Sequence, residues 1–349
     1  MQALRIIEGP LLRDLLAQPD AIAATLDRLD DSRKLARIAA DLTNGTLRRV
    51  VLTGMGASLY ALHALQLHLV ARGYTAVLLE TGELVHQQPD WLTKDTLVVA
   101  VSQSGASAEI VRLLELNRKR AVILGVTNTK GSPLDRGATC SIRTAAGAEA
   151  TVSCKTYLAA LVALEFVADR LTGASTWDAC TNEIRGLLPW MRDYLPRWQD
   201  YVMELRGKVN ATMPLFYLGR GPSLATALAA GLITKEAAQC AAEGMSCAAF
   251  RHGPRELLDS YTQTVIFAGP ESTIALNRRL CDEIAATGAS AFWCGPDAEW
   301  PMFRIPPVSA ALLPLVEILP VQMLTILLSA LRHHEAGAFT RATKITREE

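Results

Sequence analysis

The sequence predicts an α/β fold that consists of two tandem, doubly wound parallel-sheet domains with flanking helices. Short runs of β-branched and apolar residues alternate with helical segments, and glycine-rich turns follow several of these runs. The same strand–turn–helix pattern occurs in each half of the 349-residue chain. Strands that are apolar throughout are typical of a parallel sheet covered by helices on both faces. A chain of this length also suits two domains of ordinary size.

Composition places the chain among ordinary globular proteins. Apolar residues make up 50% of the sequence, and the formal net charge is +0, so no basic excess would attract nucleic acid or an anionic membrane. The seven cysteines show no CxxC spacing, which indicates a reduced, cytoplasmic protein without a zinc site. Residues 308–331 are strongly apolar, but Pro314, Glu317 and Pro320 interrupt the run. We therefore expect a connecting segment and a buried helix there rather than a membrane span.

The first half of the chain begins with helices and continues as a series of strands and helices. Leucine and isoleucine at helical spacing predict helices within residues 11–45. A helix is predicted at 58–73 and a strand at 74–80. Three strand-to-loop units complete the series, with the sequences RRVVLTGMG (48–56), TLVVAVSQSG (96–105) and AVILGVTN (121–128).

The second half repeats the first. The glycines at 54 and 219 lie 165 residues apart, and the strands around them recur in the same order, which predicts duplicated domains. The alanine-rich segment 224–244 predicts one helix, and residues 172–212 predict helices that connect the halves. The repeated segments are LFYLGRGPS (215–223), TQTVIFAGPES (262–272) and ASAFWCGP (289–296).

These patterns set the expected domain boundaries. We expect N-terminal helices, a first domain that binds the ligand, a helical connector, a second domain of the same type, and a C-terminal tail that closes on the active site. The boundaries are 1–45, 46–172, 173–212, 213–335 and 336–349, respectively.

Two loops of the first half predict an anion site. A strand that ends in glycine and opens a helix presents backbone N–H groups at the positive end of the helix dipole. Loop 102–107 adds three hydroxyls and an amide, and Ser58 closes the neighbouring loop 53–58. Neither loop contains lysine, which excludes a nucleotide P-loop. Gly54 and Gly56 form a lone GxG that leaves open a dinucleotide-dependent enzyme, and glycines that serve only tight turns are a further alternative.

Candidate residues for proton chemistry lie in the second half. Glu236, in the predicted helix 224–244, is either a general base or a solvent-facing carboxylate. Glu243, seven residues further on, would share its face and is equally ambiguous. His252 lies in a loop before Gly253 and Pro254, where it could act near neutral pH. Lys344 is either catalytic or part of a solvated tail.

These motifs together resemble the sugar isomerase (SIS) domain family. The resemblance is to double-SIS proteins: the isomerase half of glutamine:fructose-6-phosphate amidotransferase and stand-alone sugar-phosphate deaminases and deglycases. It covers almost the whole chain, from about residue 15. The segments that carry it are SQSGAS (102–107), GAEATVSCKTY (147–157), YLGRG (217–221), ITKE (233–236) and FRHGP (250–254).

The resemblance implies a role for each matched residue. The sugar phosphate would bind Ser58, Ser102, Gln103, Ser104 and Ser107. Gly56 and Val152 would contact the substrate. Glu236 would move a proton between C1 and C2, and His252 would assist ring opening from the partner subunit of a homodimer. No metal or organic cofactor is implied.

Departures from the family pattern narrow the expected reaction. The chain begins Met1-Gln2, without the glutaminase domain and its cysteine nucleophile. Lys344 stands one place later than the lysine of the synthase tail, which weakens an imine-forming role. We therefore expect a cytoplasmic phosphosugar isomerase or deaminase that acts on an amino-sugar or ketose phosphate. A deglycase of amine-conjugated sugar phosphates and a non-catalytic sugar-phosphate sensor remain alternatives.

Overall fold

The structure, a computed structural model, describes residues 6–341 and 343–346, which form two compact units. The first unit contains Ala17–Glu149 and Ser153–Leu188, together with the residues from Arg341 onward. The second unit contains Ala150–Val152 and Pro189–Thr340, together with the residues up to Leu16. Residues 1–5 of the predicted N-terminal helices, and residues 342 and 347–349 of the predicted tail, lie outside the described residues.

Five parallel strands form the sheet of the first unit, in the order β2-β1-β3-β4-β5. This is the strand order of a flavodoxin-like doubly wound sheet. The central strand β3 is buried at every residue, which explains why Leu97–Val101 is continuously apolar. The strands are β1 (Arg49–Gly54), β2 (Ala76–Glu80), β3 (Thr96–Val101), β4 (Val122–Thr127) and β5 (Cys140–Arg143).

Helices cover both faces of this sheet. On one face, Leu84 of α5 and Ile110 of α6 join Val51 and Val98 of the sheet in one buried cluster. Elsewhere in the unit, α2, α3 and α4 pack against the almost fully buried helix α8. The helices are α2 (Gln18–Arg28), α3 (Arg33–Thr43), α4 (Ala57–Ala71), α5 (Thr81–Gln87), α6 (Ala108–Asn117), α7 (Pro133–Gly137) and α8 (Lys155–Thr172), while α9 (Trp177–Tyr194) carries residues of both units.

Four parallel strands form the sheet of the second unit, in the order β7-β6-β8-β9. This order repeats that of the first four strands of the other sheet, so the predicted α/β class with two parallel sheets is confirmed. The strands are β6 (Leu215–Gly219), β7 (Ala242–Ser246), β8 (Gln263–Phe267) and β9 (Ser290–Cys294). The helices are α1 (Pro10–Leu16), α10 (Trp198–Leu205), α11 (Ser223–Ala238), α12 (Cys247–Arg251), α13 (Ile274–Ala285) and α14 (Leu313–Leu331).

The predicted helix over 224–244 is wrong beyond Ala238. Gln239 adopts a left-handed conformation with φ 53° and ends α11, and strand β7 begins at Ala242. The reason is a close approach of the helix to the strand: a Cβ atom on Gly231 would lie 2.6 Å from the backbone nitrogen of Gly244. The small residues of this segment therefore allow α11 to pack closely on β7. They do not indicate a longer helix.

This correction separates the two glutamates of the segment. Glu236 is exposed in the last turn of α11, not in the middle of a helix. Glu243 is exposed on β7, so the two side chains do not share a helix face.

Helix α14 forms most of the strongly apolar segment 308–331. The helix begins at Leu313, so Pro314 lies in its first turn and Pro320 lies inside it without ending it. Residues 310–331 are long and apolar enough to cross a membrane by length and composition. However, 94% of this window is buried inside the protein, as in the core helix of a globular unit.

Candidate functional site

Loop 102–107 of the first unit joins β3 to α6 at the carboxyl end of the sheet. Inside the loop, Gly105 N–H donates to the Ser102 hydroxyl at 3.1 Å, and Ala106 N–H donates to the Ser104 hydroxyl at 3.2 Å. Ser107 is the N-cap residue of α6, and its side chain makes no capping hydrogen bond. The loop thus places three serine hydroxyls at the positive end of a helix, which is a site suited to an anion.

The connection after β4 holds this loop in place. The Gln103 carbonyl accepts hydrogen bonds from Asn128 N–H at 3.1 Å and from the Thr127 hydroxyl at 3.2 Å. The Gly105 carbonyl accepts from Leu134 N–H at 2.9 Å. Gly105 has φ 61°, and a Cβ atom there would overlap the Ser132 side chain. The loop conformation is therefore fixed by its neighbours and requires glycine at 105.

The loop after β1 leaves the same edge of the sheet, because β1 and β3 are adjacent parallel strands. Gly56 has φ 52°. A Cβ atom on Gly54 would lie 3.0 Å from the Val101 carbonyl oxygen, so this loop lies directly against the end of β3. Ser58 follows in the first turn of α4 and is half-buried.

A small pocket joins these two loops. The structure brings Ser58 and Gln103 together in its wall, whereas Ser102, Ser104 and Ser107 are not among the residues that line it. The other polar lining residues are Thr127, Asn128, Thr144, Ser153, Thr156 and Tyr157. Hydroxyls and amides thus provide the polar lining of a cavity of about 10 Å³, which has room for roughly one water molecule. In the described part of the chain, no group of three or more His, Cys, Asp or Glu could hold a metal ion.

Glu149 is the residue of this region that sequence reasoning missed. Its side chain is fully buried in the first unit, and its carboxylate lies 2.6 Å from Lys344 Nζ. The Thr156 hydroxyl, which belongs to the pocket wall, donates to the same carboxylate at 2.6 Å. Glu149 lies in the segment 147–157, which resembles a family motif as a whole. Its partner Lys344 is 195 residues away in sequence, so no local sequence pattern predicts this ion pair.

The other predicted residues lie in the second unit. Glu236 is exposed near the end of α11, and Val152 is buried. His252 follows α12, is exposed, and donates its backbone N–H to the Ala249 carbonyl at 2.9 Å. The predicted phosphate-binding residues and Lys344 are thus in the first unit, and the predicted proton-transfer residues are in the second. Their catalytic roles stay predictions.

In the second unit, the serine of the corresponding glycine loop contacts an internal carboxyl group. Ser223 is the counterpart of Ser58 in the repeated GxGxS pattern, and its hydroxyl donates to Glu317 at 2.7 Å. The Thr226 hydroxyl donates to the other carboxylate oxygen at 2.8 Å. Burial raises the pKa of Glu317 to about 7, and the two hydroxyl hydrogen bonds oppose that rise. The serine that faces the pocket in one copy is therefore engaged by an internal carboxyl group in the other.

Together, the doubly wound sheet and the serine loop fixed at its carboxyl edge define an α/β protein with a loop whose geometry suits an anion. Residues 47–170 match the model of the SIS domain. We therefore assign a SIS domain to residues 47–170.

Comparison with known proteins agrees with this identification. The chain is 29% identical over 336 residues to a glutamine–fructose-6-phosphate aminotransferase (isomerizing) of Pyrococcus horikoshii. That match covers 93% of the chain but 55% of the relative, so the chain spans about half the length of this protein.

Two solved structures share the fold. The C-terminal domain of glucosamine-fructose-6-phosphate aminotransferase from Francisella tularensis superposes with a TM-score of 0.82 at 18% identity, and covers 93% of this chain and 96% of its own. Glucosamine-6-phosphate deaminase from Thermotoga maritima gives a TM-score of 0.76 at 18% identity, and covers 97% and 100%, respectively.

Proposed function

We propose that the protein is a phosphosugar isomerase or deaminase that acts on an amino-sugar phosphate or a related ketose phosphate. The observation that carries this proposal is the pinned loop 102–107, whose hydroxyls and backbone N–H groups lie at the start of α6. The names of the related proteins support a phosphorylated sugar as the ligand. Ser58, Ser102, Gln103, Ser104 and Ser107 would bind its phosphate.

The proposed reaction needs one base and correct positioning. Glu236 would take a proton from C2 of an open-chain aldose, or from C1 of an open-chain ketose, and return it to the other carbon through an enediol or enolamine, with no net change in protons. In a deaminase, water would then add at the imine carbon and an amine would leave. His252 would assist ring opening. Neither step requires a metal ion or an organic cofactor.

The surface beside His252 supports a homodimer as part of this proposal. Leu257 and Tyr261, in the segment that follows His252, are 58% and 68% exposed, respectively. Large apolar side chains grouped at the surface are typical of a contact with another protein. A second copy of the chain would cover them and place its His252 in the site of its partner. A cytoplasmic location belongs to the same proposal.

Ligand and product assays test this function. A thermal-shift panel would compare hexose, hexosamine and amine-conjugated sugar phosphates with the same sugars without phosphate. Assays for isomer, ammonia and free amine would follow with every ligand that raises Tm. Stabilisation by phosphorylated sugars only, followed by turnover, is the expected result. Stabilisation without turnover would indicate a sensor, and no stabilisation by any phosphosugar would contradict the proposal.

A further inference from the structure

The two carboxylate oxygens of Glu149 accept hydrogen bonds from different groups. Oε1 accepts from the backbone N–H groups of Cys154 and Thr156, at 2.9 and 3.0 Å. Oε2 accepts from the Thr156 hydroxyl and from Lys344 Nζ, both at 2.6 Å. One oxygen therefore stabilises the start of α8, and the other binds the C-terminal segment.

The ion pair is protected from water. The Glu149 side chain is 0% exposed and the Lys344 side chain 25% exposed. A buried carboxylate that loses its cationic partner is destabilised, because burial has already removed most of the water that would solvate its charge. Release of the C-terminal segment is therefore unfavourable.

A second contact places the same segment at the predicted phosphate site. The backbone N–H of Ala108, the first residue of α6, donates to the Thr346 carbonyl at 3.2 Å. Ala108 directly follows Ser107, the last residue of loop 102–107. Residues 343–346 thus make two contacts within the first unit: with Glu149, which also accepts from the pocket residue Thr156, and with the start of α6.

We propose that Glu149 is a positioning residue of the phosphosugar site, which holds residues 343–346 against the start of α6 by pairing with Lys344. This inference rests on the proposed function for its effect on turnover. An ammonium group bound to a buried carboxylate is a poor nucleophile, so Lys344 contributes position and charge rather than an imine. The phosphate would then be bound by loop groups that precede Ala108, whose N–H is occupied.

The substitution Glu149→Gln tests this role in the full-length chain. A glutamine keeps an oxygen for the N–H groups of Cys154 and Thr156, but its uncharged amide cannot pair with Lys344. The control is Glu115→Gln on α6, where the side chain is 62% exposed. Lys344→Met removes the same pair from the other side. It also removes the tryptic site, so it serves as the second variant in the turnover measurement if Glu149→Gln does not fold.

The first measurement needs no substrate. Trypsin cleavage after Lys344, followed by mass spectrometry, reports how often the C-terminal segment is released. We expect cleavage to accelerate about tenfold in Glu149→Gln, as loss of a buried ion pair implies, and to stay unchanged in Glu115→Gln. Wild-type cleavage rates in Glu149→Gln would overturn the inference, whatever the activity.

The second measurement uses the phosphosugar found by the ligand panel. We expect kcat to fall about tenfold or more in Glu149→Gln, while inhibition by inorganic phosphate changes less than about twofold, because loop 102–107 is intact. Unchanged kcat with a released segment would overturn the positioning role. If the segment is released but wild-type protein turns over no phosphosugar, the contact is supported and the proposed function fails.

Discussion

The carboxyl group of Glu317 accepts a hydrogen bond from the Ser223 hydroxyl at 2.7 Å, in the interior of the second unit. Ser223 begins α11, as Ala57 begins α4 in the first unit. The first-unit counterpart of this serine, Ser58, lines the pocket beside loop 102–107. The duplicated loops thus share a sequence pattern but differ in what their serines contact, because an internal carboxyl group binds the serine of the second unit.

The first prediction concerns the pH dependence of stability. Glu317 has a folded-state pKa of about 7, compared with 4.5 for an ordinary glutamate. Below pH 4.5, Glu317 is protonated in both the folded and the unfolded chain. As pH rises from 4.5 to 7, the unfolded chain loses the proton first, so the free energy of unfolding decreases, by up to about 3 kcal/mol. Above pH 7, Glu317 causes no further decrease in the free energy of unfolding.

Glu317→Gln, which keeps a neutral side chain, should reduce this decrease. Glu165 is half-buried on α8, and desolvation raises its pKa to about 7, so the wild-type protein loses stability through both groups. We expect the variant to have a Tm higher than wild type by roughly 5 °C at pH 8, and a smaller difference at pH 5. Parallel Tm curves of the two proteins between pH 5 and pH 8 would refute the assignment.

The second prediction concerns the conformation of the anion loop. Gly105→Ala places a Cβ atom against Ser132, at a φ of 61°. Gly173→Ala is a matched control, because Gly173 has φ 62° in the same unit and nothing lies within 4 Å of its would-be Cβ atom. Both variants should lose about 1 kcal/mol through left-handed strain. Only Gly105→Ala should weaken phosphosugar binding, by about tenfold or more, as measured by calorimetry. Equal affinities would show that the loop does not bind the ligand.

The sequence predicted most of the fold because most of the central strands are continuously apolar, and because β1 and β6 end in glycine. β7 was missed because its sequence, AEGMS, is short and lacks β-branched residues, and it follows an alanine-rich helix. The position of β7 depends on the contact between Gly231 and Gly244. Helical periodicity in the sequence does not predict such a contact. A strand was required there by the duplication itself, since β2 occupies the corresponding place in the first sheet.

The candidate site was predictable only in part. Ser58 and Gln103 were identified from their loops, and both line one pocket. Glu149 was not identified, because its pairing with Lys344 joins two segments that are distant in sequence. Glu317 was noted only as an interruption of an apolar run, although a lone acid within a buried helix requires a partner. Its partners, Ser223 and Thr226, lie on another helix.

The third prediction tests the packing of α11 on β7. In an open helix, alanine in place of glycine stabilises by about 1 kcal/mol. Gly186→Ala in α9 should show this gain, since nothing lies within 4 Å of its would-be Cβ atom. Gly231→Ala should instead destabilise by about 1–3 kcal/mol, because the new Cβ atom meets the backbone of Gly244. Urea unfolding of both variants provides the comparison. A stabilised Gly231→Ala would contradict the close approach.

The last prediction concerns the proposed base. Glu236→Gln should lower kcat about 10²- to 10⁴-fold on the true substrate, because general-base catalysis contributes that much, while phosphosugar binding by loop 102–107 remains. Glu243→Gln is the matched control: this side chain is also exposed, but it lies on β7. It should retain wild-type turnover, since the proposed mechanism assigns no proton transfer to Glu243. Calorimetry and single-turnover rates would separate binding from chemistry. Wild-type turnover in Glu236→Gln would exclude Glu236 as the base, and an equal loss in both variants would indicate a general effect of acidic charge near α11 rather than proton transfer.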